Sequence, residues 1–191
     1  MNICVYGASS DEIDKRYIED GEKLGKLLAD NGIGLVFGAG GHGMMGAAAR
    51  GATSGNGKII GVVPRFFNVD GILYDKCDEL IRTDTMRERK QIMEDKSDGF
   101  VMTAGGIGTF EEFFEILTLK QLGRHTKPIA VLNTDGYYDD MMAMMNHAIE
   151  KKFIFGTVNE LYAVCSTPEE VIEYIKGYSP EDITVSRFKR V

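Results

Sequence analysis

The fold follows from the stretch Gly99-Phe100-Val101-Met102-Thr103-Ala104-Gly105-Gly106-Ile107-Gly108-Thr109, in which a short apolar run leads directly into a turn of small residues. The run Gly99–Met102 is almost wholly apolar, which is typical of a parallel strand covered by helices on both faces. A helical pattern begins at position 110. The stretch therefore predicts one strand, one turn and one helix of a parallel α/β sheet.

The same alternation continues in both directions along the chain. Further apolar runs occupy residues 3–6, 33–37, 59–63, 79–81, 129–132 and 162–164, and helical patterns occupy residues 13–28, 44–54, 86–97, 110–122, 138–151 and 168–176. We predict an α/β protein with a doubly wound, Rossmann-like sheet of about seven mostly parallel strands, right-handed crossovers and helices on both faces. In this prediction residues 1–179 form a single domain, and residues 180–191 form a C-terminal tail that lies on the surface or frays.

Length and composition agree with one domain that has an apolar core. The chain has 191 residues, of which 43 % are apolar, and its 23 glycines against only 4 prolines favour tight turns over disorder. The formal net charge is −7, which disfavours a broad basic face for the phosphate backbone of a nucleic acid. We therefore expect no nucleic-acid partner.

The cysteines and histidines lack the spacing of a metal site. Cys4, Cys77 and Cys165 lie far apart, and no histidine is placed to complete a zinc site, so we expect no metal and reduced thiols in a cytoplasmic protein. The three histidines are interpreted as ordinary surface or hydrogen-bonded residues. No secretion leader and no run approaching about 18 apolar residues is present, so we expect no membrane association.

Three turns of small residues follow predicted strands, at positions 7–10, 38–43 and 105–109. Ligands bind at the carboxyl edge of a doubly wound sheet, and the N–H groups that open the next helix suit a phosphate. Each turn alone is equally explained as a tight connection between a strand and a helix. The candidate ligand contacts in the first two turns are Gly7, Ser9, Gly40 and Gly43.

Common nucleotide and hydrolase motifs fit these turns poorly. The turn at 38–43 matches G-x-G-x-x-G, but residues 58–67 hold no acid for a ribose, so a conventional NAD site is disfavoured. Gly57-Lys58 precedes Ile59 instead of a serine or threonine, which argues against a P-loop. The first turn lacks the second glycine of a nucleophile elbow, which argues against a serine hydrolase.

Two threonine–glutamate pairs have the spacing of a capping box, in which the glutamate reaches back to the start of its own helix. The pairs are Thr85 with Glu88 and Thr109 with Glu112. We interpret Glu88 as such a cap. For Glu112 two interpretations stay open, a cap or a carboxylate that faces a ligand, because it directly follows the third glycine turn.

Three cations, Arg87, Arg89 and Lys90, occupy the first turns of the helix predicted over residues 86–97. The helix dipole disfavours positive charge there by about 0.3–1 kcal/mol each. Either these side chains extend into water and pair with nearby glutamates, or they bind an anion that the third glycine turn holds from the other side. One helix and one strand separate Arg89 from Glu112, so both are expected at adjacent points of the same sheet edge.

A phosphate pocket that contains one carboxylate suits a particular reaction. If the ligand is a nucleoside 5′-monophosphate, cleavage of its N-glycosidic bond builds positive charge on the ribose, and a carboxylate stabilises that charge. The same carboxylate can orient or deprotonate the attacking water. This chemistry requires no metal or redox cofactor, so we expect no cofactor.

The runs Met86-Arg87-Glu88-Arg89-Lys90 and Gly105-Gly106-Ile107-Gly108-Thr109-Phe110-Glu111-Glu112 resemble the M-H-x-R-K and P-G-G-x-G-T-x-x-E motifs of the LOG family. Its members are cytokinin riboside 5′-monophosphate phosphoribohydrolases, often mislabelled lysine decarboxylases. The resemblance extends from Val5-Tyr6-Gly7-Ala8-Ser9-Ser10 to Leu132-Asn133-Thr134-Asp135-Gly136-Tyr137-Tyr138. It implies a homodimeric hydrolase that converts AMP or a cytokinin riboside 5′-monophosphate into free base and ribose 5-phosphate.

The resemblance also implies roles for individual residues. Arg89 and Glu112 are the catalytic residues by this resemblance; Gly105, Gly106, Gly108 and Thr109 hold the phosphate, and Lys90 and Thr118 lie near the nucleotide. The loop that recognises the base lies within residues 66–74, and the helix at 110–122 and the methionine-rich helix at 138–151 are candidate dimer surfaces. Ala104 stands where the family has proline and Arg87 where it usually has histidine, which bears on substrate preference.

The alternative function is a binding module that resembles the molybdenum-cofactor carrier proteins, which hold a phosphorylated ligand without turning it over. Arg89 and Glu112 discriminate between the two, because a carrier need not possess them. Lysine decarboxylation is not indicated, since no lysine stands out as a Schiff-base former for a pyridoxal cofactor.

Overall fold

A computed structural model describes residues 1–67 and 71–180. The strands are β1 (Asn2–Tyr6), β2 (Gly34–Phe37), β3 (Ile59–Pro64), β4 (Glu79–Thr83), β5 (Gly99–Met102), β6 (Ile129–Leu132) and β7 (Ala163–Cys165). The helices are α1 (Lys15–Asp30), α2 (Gly43–Ser54), α3 (Met86–Asp95), α4 (Ile107–Gln121), α5 (Asp139–Glu150) and α6 (Pro168–Gly177). Two 3₁₀ helices that the sequence patterns do not indicate lie at Thr134–Gly136 and Gly156–Glu160.

Within the described residues, seven strands form one sheet in the order β4-β3-β2-β1-β5-β6-β7. Every neighbouring pair is parallel, which confirms the predicted doubly wound α/β fold. From β1 the chain moves outward through β2, β3 and β4, and it then returns to the opposite side of β1 with β5. Loops that follow β1 and β5 therefore diverge, and they leave a crevice at the carboxyl edge of the sheet.

Side chains of the central strand alternate between two apolar layers, as expected for a strand covered on both sides. Ile3 and Val5 belong to the layer formed with α1, α2 and α6. Cys4 and Tyr6 belong to the opposite layer, formed with α3, α4 and α5. All four side chains are buried, so the centre of the sheet is rigidly packed beneath the crevice.

Helices α1 and α2 approach each other closely because glycine lies at their contact. A methyl group at Gly25 would come within 1.9 Å of the Ala48 carbonyl oxygen, and one at Gly51 would come within 1.9 Å of the Glu22 carbonyl oxygen. Each glycine thus lies against the backbone of the other helix. This packing holds the amino end of α2 in place beside the loop after β1.

Two helices start two or three residues away from their predicted positions. Helix α1 starts at Lys15 instead of position 13, because the side chain of Asp14 accepts a hydrogen bond from the Arg16 N–H (3.0 Å) and caps the helix there. Helix α4 starts at Ile107, three residues earlier than predicted. The predicted tail lies outside the described residues from position 181 onward.

Candidate active site

A cavity of about 610 Å³ lies at the carboxyl edge of the sheet, between the loops that follow β1 and β5. Its walls include members of all three glycine turns. Eight of the residues predicted as site residues line it: Gly7, Ser9, Gly40, Arg89, Gly106, Gly108, Thr109 and Glu112. The fold therefore gathers at one place segments that lie more than a hundred positions apart in the sequence.

An ion pair between Arg89 and Glu112 lies in the wall of the cavity. Nη1 of Arg89 donates a hydrogen bond to Oε1 of Glu112 over 2.8 Å, and the two side chains are only 10 % and 12 % exposed. Nε of Arg89 donates to the Val62 carbonyl oxygen over 3.2 Å. A methyl group at Gly38 would lie 2.2 Å from Nη2 of Arg89, so the second glycine turn leaves room for this guanidinium. The helix α3 and the helix α4 thus present one cation and one anion to the same point.

Burial raises the pKa of Glu112 above its usual value, because desolvation disfavours the charged form. The Arg89 guanidinium opposes this effect on the pKa through its charge and its hydrogen bond. Glu112 is therefore a largely desolvated acid whose ionisation is favoured mainly by Arg89, with a smaller contribution from the charge of Lys90. Such a group is a stronger proton acceptor than an exposed glutamate.

The capping-box interpretation of Glu112 is wrong, whereas that of Glu88 is confirmed. Helix α4 starts at Ile107 with Gly106 as its N-cap, so Thr109 lies inside the helix and cannot cap it. In α3, by contrast, the Thr85 hydroxyl accepts from the Glu88 N–H (3.1 Å), and the Glu88 carboxylate accepts from the Asp84 N–H (2.8 Å). Glu112 is consequently available to Arg89 and to the cavity.

The amino end of α4 is open toward the cavity. The backbone N–H groups of Ile107, Gly108 and Thr109 donate to no acceptor among the described residues. All three residues line the cavity. Unpaired N–H groups and the positive end of the helix dipole together favour an anion at this point.

The amino end of α2 is closed by the protein itself. Oδ1 of Asp11 accepts from the Gly43 N–H (2.7 Å), and the Ala8 carbonyl accepts from the Met45 N–H (3.2 Å). Gly43 has φ +57°, and a methyl group there would lie 2.5 Å from the Ala8 carbonyl oxygen. The second glycine turn therefore receives a carboxylate from this chain where a ligand anion would otherwise lie.

His42 lies in the cavity wall and is hydrogen-bonded, as one of the alternatives for the histidines proposes. Its Nδ1 lies 2.5 Å from Oδ2 of Asp11, and its Nε2 lies 3.1 Å from the Gly71 carbonyl oxygen. The hydrogen bond to the Asp11 carboxylate raises the pKa of His42 above its usual value. The contact with Gly71 ties the second glycine turn to the loop that precedes β4.

Four predicted site residues do not line the cavity: Gly43, Lys90, Gly105 and Thr118. Lys90 forms ion pairs with two glutamates of α4, Glu111 and Glu115, the second over 2.8 Å. Thr118 is exposed, more than two turns along α4 from Thr109. Their assignment to the nucleotide stays a prediction.

One wall of the cavity is apolar, and sequence reasoning located it only as a loop. Phe67, Ile72 and Leu73 come from the predicted base-recognition segment, of which residues 68–70 lie outside the described residues. Met45, Val63, Pro64 and Met86 complete this wall. Met45 lies two residues after the second glycine turn, and Met86 is the first residue of the arginine motif. This nearness to the motifs is the one local signal that could have identified them. An apolar wall of this kind suits a planar, weakly polar group.

The described residues contain neither a cluster that could hold a metal ion nor a helix that could span a membrane. In residues 1–67 and 71–180, no three side chains of His, Cys, Asp or Glu group together in a way that could hold a metal ion. In those residues no helix has both the length and the apolar character needed to cross a bilayer. The three cysteines are free thiols.

A doubly wound sheet with an open helix terminus and a buried arginine–glutamate pair at its switch point defines a Rossmann-like protein that binds a phosphorylated ligand.

The family model described as possible lysine decarboxylase matches residues 45–175. A probable cytokinin riboside 5′-monophosphate phosphoribohydrolase of Oryza sativa subsp. japonica is 35 % identical over 178 residues, which cover 93 % of this chain and 71 % of the relative. A cytokinin riboside 5′-monophosphate phosphoribohydrolase of Arabidopsis thaliana is 31 % identical over 94 % of this chain and 84 % of its own length. The chain belongs to this family, the LOG family.

Solved structures with the same fold include two proteins that bind the molybdenum cofactor. The molybdenum cofactor binding protein of Rippkaea orientalis aligns with a TM-score of 0.68 and 24 % identity, over 92 % of this chain and 93 % of its own. The molybdenum cofactor carrier protein of Chlamydomonas reinhardtii aligns with a TM-score of 0.69 and 24 % identity, over 92 % and 95 % of the two chains. At this level of identity the likeness extends to the fold alone.

Proposed function

We propose that this protein hydrolyses the N-glycosidic bond of a nucleoside 5′-monophosphate, with AMP or a cytokinin riboside 5′-monophosphate as substrate and free base and ribose 5-phosphate as products. The observation that carries the proposal is the buried Arg89–Glu112 ion pair, whose atoms lie 2.8 Å apart in the cavity wall beside the open end of α4. The relatives named for this activity in rice and Arabidopsis support it.

The phosphate binds at the amino end of α4 in this proposal. The N–H groups of Gly108 and Thr109 face no protein acceptor among the described residues, and they offer hydrogen bonds to the phosphate oxygens. Glu112 follows Thr109 by three residues, which is about one helical turn, or ~5 Å along the axis. A ribose joined to that phosphate through its 5′ carbon then lies beside the Glu112 carboxylate.

The carboxylate of Glu112 acts on the ribose and on water. As the bond between C1′ and the base nitrogen breaks, positive charge develops on the sugar ring, and the nearby carboxylate stabilises it. Water adds to C1′ and transfers a proton to Glu112, while the base leaves with the electron pair of the broken C1′–N bond and takes up a proton from solvent water. Glu112 then returns its proton to solvent. Arg89 is a positioning residue here, because its hydrogen bond orients the carboxylate and its charge keeps that group ionised.

The base lies against the apolar wall in this arrangement. Phe67, Leu73 and Met86 present aromatic and aliphatic surface at the side of the cavity away from β1. Burial of a purine and of any apolar substituent there is favourable by roughly 25 cal/mol per Å² of apolar surface removed from water. A carrier of a phosphorylated ligand would not require Glu112, which is why we favour hydrolysis over carriage.

Lysine decarboxylation is not part of this proposal. No lysine of the described residues lines the cavity. Lys120 is buried, and burial lowers its pKa to about 8, but its Nζ donates to the Leu161 carbonyl oxygen (2.7 Å) and lies 4.8 Å from the centre of the Tyr178 ring. The buried lysine therefore belongs to the packing at the far end of α4.

Replacement of Glu112 by glutamine tests the proposal. Glu112→Gln preserves the shape of the side chain and its acceptor for Arg89 but removes the charge, so we expect turnover of AMP to fall by about 100-fold or more. Binding of AMP should change by less than about fivefold, since the phosphate contacts remain. Release of free base is measured by chromatography, and binding by calorimetry.

The matched control is Glu111→Gln, one residue earlier on the same helix. Glu111 is exposed and pairs with Lys90 outside the cavity, so this variant should retain turnover close to that of the wild type. If Glu112→Gln released base at the wild-type rate, or if both variants lost turnover equally, the catalytic assignment would fail.

We propose further that the protein acts as a homodimer and contacts small nucleotides instead of nucleic acid. An exposed apolar side chain on one of the two helices named as dimer surfaces supports the first point: Met144 of α5 is 55 % exposed. The net charge of −7 supports the second. The free thiols support a reducing compartment such as the cytoplasm.

A further inference from the structure

The turn Asn133-Thr134-Asp135-Gly136-Tyr137-Tyr138 takes no part in the chemistry described so far. It follows β6, and its two tyrosines reach across to the third glycine turn. The hydroxyl of Tyr138 donates to the Thr103 carbonyl oxygen over 2.7 Å, and the hydroxyl of Tyr137 donates to the Gly105 carbonyl oxygen over 2.8 Å. Between them, the Ala104 carbonyl oxygen accepts from the Ala8 N–H over 3.0 Å.

Three consecutive carbonyl groups before α4 are therefore each held by a separate donor. In a trans peptide unit the C=O and the N–H point in opposite directions. The Gly105 carbonyl belongs to the same peptide unit as the Gly106 N–H, so the bond from Tyr137 directs this N–H away from the tyrosine. Gly106 lines the cavity and is the N-cap of α4.

The tyrosines are fixed in place before any ligand arrives. Asp135 and Gly136 have φ of +54° and +72°, which folds the chain back sharply, and Oδ1 of Asn133 accepts from the Tyr138 N–H over 2.7 Å. Tyr138 is 1 % exposed. The ring of Tyr137 packs edge-on against the rings of Tyr138 and Tyr17, with centroids 4.8 and 5.7 Å away.

We propose that Tyr137 and Tyr138 are positioning residues that set the orientation of residues 103–106, the turn that leads into the phosphate-binding amino end of α4. They act through backbone carbonyls and do not touch the substrate. The proposal rests on the function proposed above and adds to it the groups that hold the phosphate site in shape. The turn loses its conformational entropy during folding and not during binding, and this raises the affinity for the phosphate.

Position 104 holds alanine and not proline, so the shape of this turn depends more on the hydrogen bonds from the two tyrosines. Ala104 lacks the ring that would restrict φ, and its N–H donates to no acceptor among the described residues. The N–H of Thr103, the residue before it, donates to the Tyr6 carbonyl oxygen over 2.9 Å and so adds one bond to the ladder between β1 and β5. A residue paired in this way suits a following proline, which disfavours the helical conformation in the residue before it. Proline at position 104 should therefore fit and should stiffen the same turn.

The first test measures KM and kcat for AMP in Tyr137→Phe. Because loss of one neutral hydrogen bond corresponds to a factor of roughly 2 to 13, we expect KM to rise by about five- to tenfold while kcat stays within about twofold. The matched control is Tyr17→Phe, which removes a hydroxyl from the same aromatic cluster but none from the turn, and which should leave both constants unchanged. Unchanged KM in Tyr137→Phe, or an equal rise in Tyr17→Phe, would overturn the proposal.

The second test is rescue by stiffening. Ala104→Pro in the Tyr137→Phe background should restore at least half of the lost affinity on a logarithmic scale, whereas the same change in the wild type should have little effect. If Tyr137 only stabilised the fold, Ala104→Pro would not restore affinity. Absence of rescue would therefore contradict the proposal. Tyr137 is 42 % exposed, so its variant is expected to fold even if Tyr138→Phe does not.

Binding of ribose 5-phosphate, measured by calorimetry, separates this proposal from the proposed function. If the wild type binds ribose 5-phosphate without hydrolysing AMP, the proposed reaction fails, and weaker binding in Tyr137→Phe still supports the positioning role. If AMP is hydrolysed and the variant binds ribose 5-phosphate as tightly as the wild type, the positioning role alone fails.

Discussion

The contact between Arg89 and Glu112 shows how burial and pairing oppose each other within one side chain. Desolvation favours the neutral form of Glu112, whereas the guanidinium 2.8 Å away favours the carboxylate. Without the Arg89 cation, burial would favour the protonated, neutral form of Glu112. The protonation state of Glu112, the proposed catalytic group, therefore depends on a residue that belongs to another helix.

This dependence predicts the pH profile of an Arg89 variant. In the wild type, kcat/KM should fall on the acid side with an apparent pKa above the usual glutamate value, because burial raises the pKa of Glu112 and the reaction requires the carboxylate. In Arg89→Gln the opposing effect is lost, so the acid limb should move to higher pH. The measurement is kcat/KM for AMP from pH 4 to 8 in both proteins.

The comparison between the two proteins removes the contribution of the substrate, whose phosphate titrates near pH 6 in both cases. The position of the limb, and not the size of the remaining activity, is the quantity compared. An unchanged limb, or one that moves to lower pH in Arg89→Gln, would show that Arg89 does not govern the ionisation of Glu112.

At the scale of elements, the start of α4 decides which residues reach the ligand. A capping box at Thr109 would begin the helix near position 110, but Gly106 caps it and Ile107 opens it. Helix α4 can start at this point because the turn before it is fixed. The carbonyl oxygens of Thr103, Ala104 and Gly105 each accept a hydrogen bond from another part of the chain. The early start thus leaves the N–H groups of Ile107, Gly108 and Thr109 without acceptors among the described residues, beside the cavity.

The contact between α1 and α2 makes a prediction about stability. Alanine is favoured over glycine inside a helix by about 1 kcal/mol, but a methyl group at Gly25 would lie 1.9 Å from the Ala48 carbonyl oxygen. We expect Gly25→Ala to lower the free energy of unfolding by about 1–3 kcal/mol, since overpacking outweighs helix propensity. Chemical denaturation monitored by circular dichroism measures this change.

The control for this prediction is Gly177→Ala, at the end of α6. A methyl group there meets no atom within 4 Å, so this variant should be neutral or slightly more stable. Stabilisation by Gly25→Ala would mean that the two helices separate easily and that their close contact does not hold α2 beside the cavity.

At the scale of the whole molecule, the strand order places the site. The chain leaves β1 toward β2 on one side and returns to β5 on the other, so the loops after β1 and β5 part at the centre of the sheet. Arg89, which precedes β5, and Glu112, which follows it, are brought together across this opening. The apolar layers beneath, which contain Val5 and Tyr6, provide a rigid base.

The proposed homodimer is tested at the same scale. Light scattering should give twice the chain mass of 21.1 kDa at micromolar concentration. Met144→Glu places a charge at the exposed face of α5 and should shift the protein toward the monomer. Phe153→Glu, at a side chain 87 % exposed outside both predicted interface helices, is the control and should leave the mass unchanged. A wild type that stays monomeric would contradict the proposal.

Much of the fold and part of the site are readable from local patterns. Apolar runs of four or five residues, separated by helical periodicity, determine the number and order of strands and helices. The motifs around Arg89 and Glu112 identify the two residues that meet in the cavity wall. These features are accessible because each depends on neighbours close along the chain.

Other features exist only once the sheet has formed. Local patterns do not reveal that Asp11 closes the amino end of α2, that Met45 and Met86 join Phe67 in one wall, or that Tyr137 holds the Gly105 carbonyl. Each joins segments that are distant in sequence, and the energy of such a contact appears only when the intervening strands bring the partners within hydrogen-bond or van der Waals distance. The sequence by itself determined the order of the elements along the chain and placed Arg89 and Glu112 at adjacent points of one sheet edge. The tertiary structure decided which helix terminus stays open to a phosphate and which carbonyls are held to keep it so, because both depend on contacts between elements and not within them.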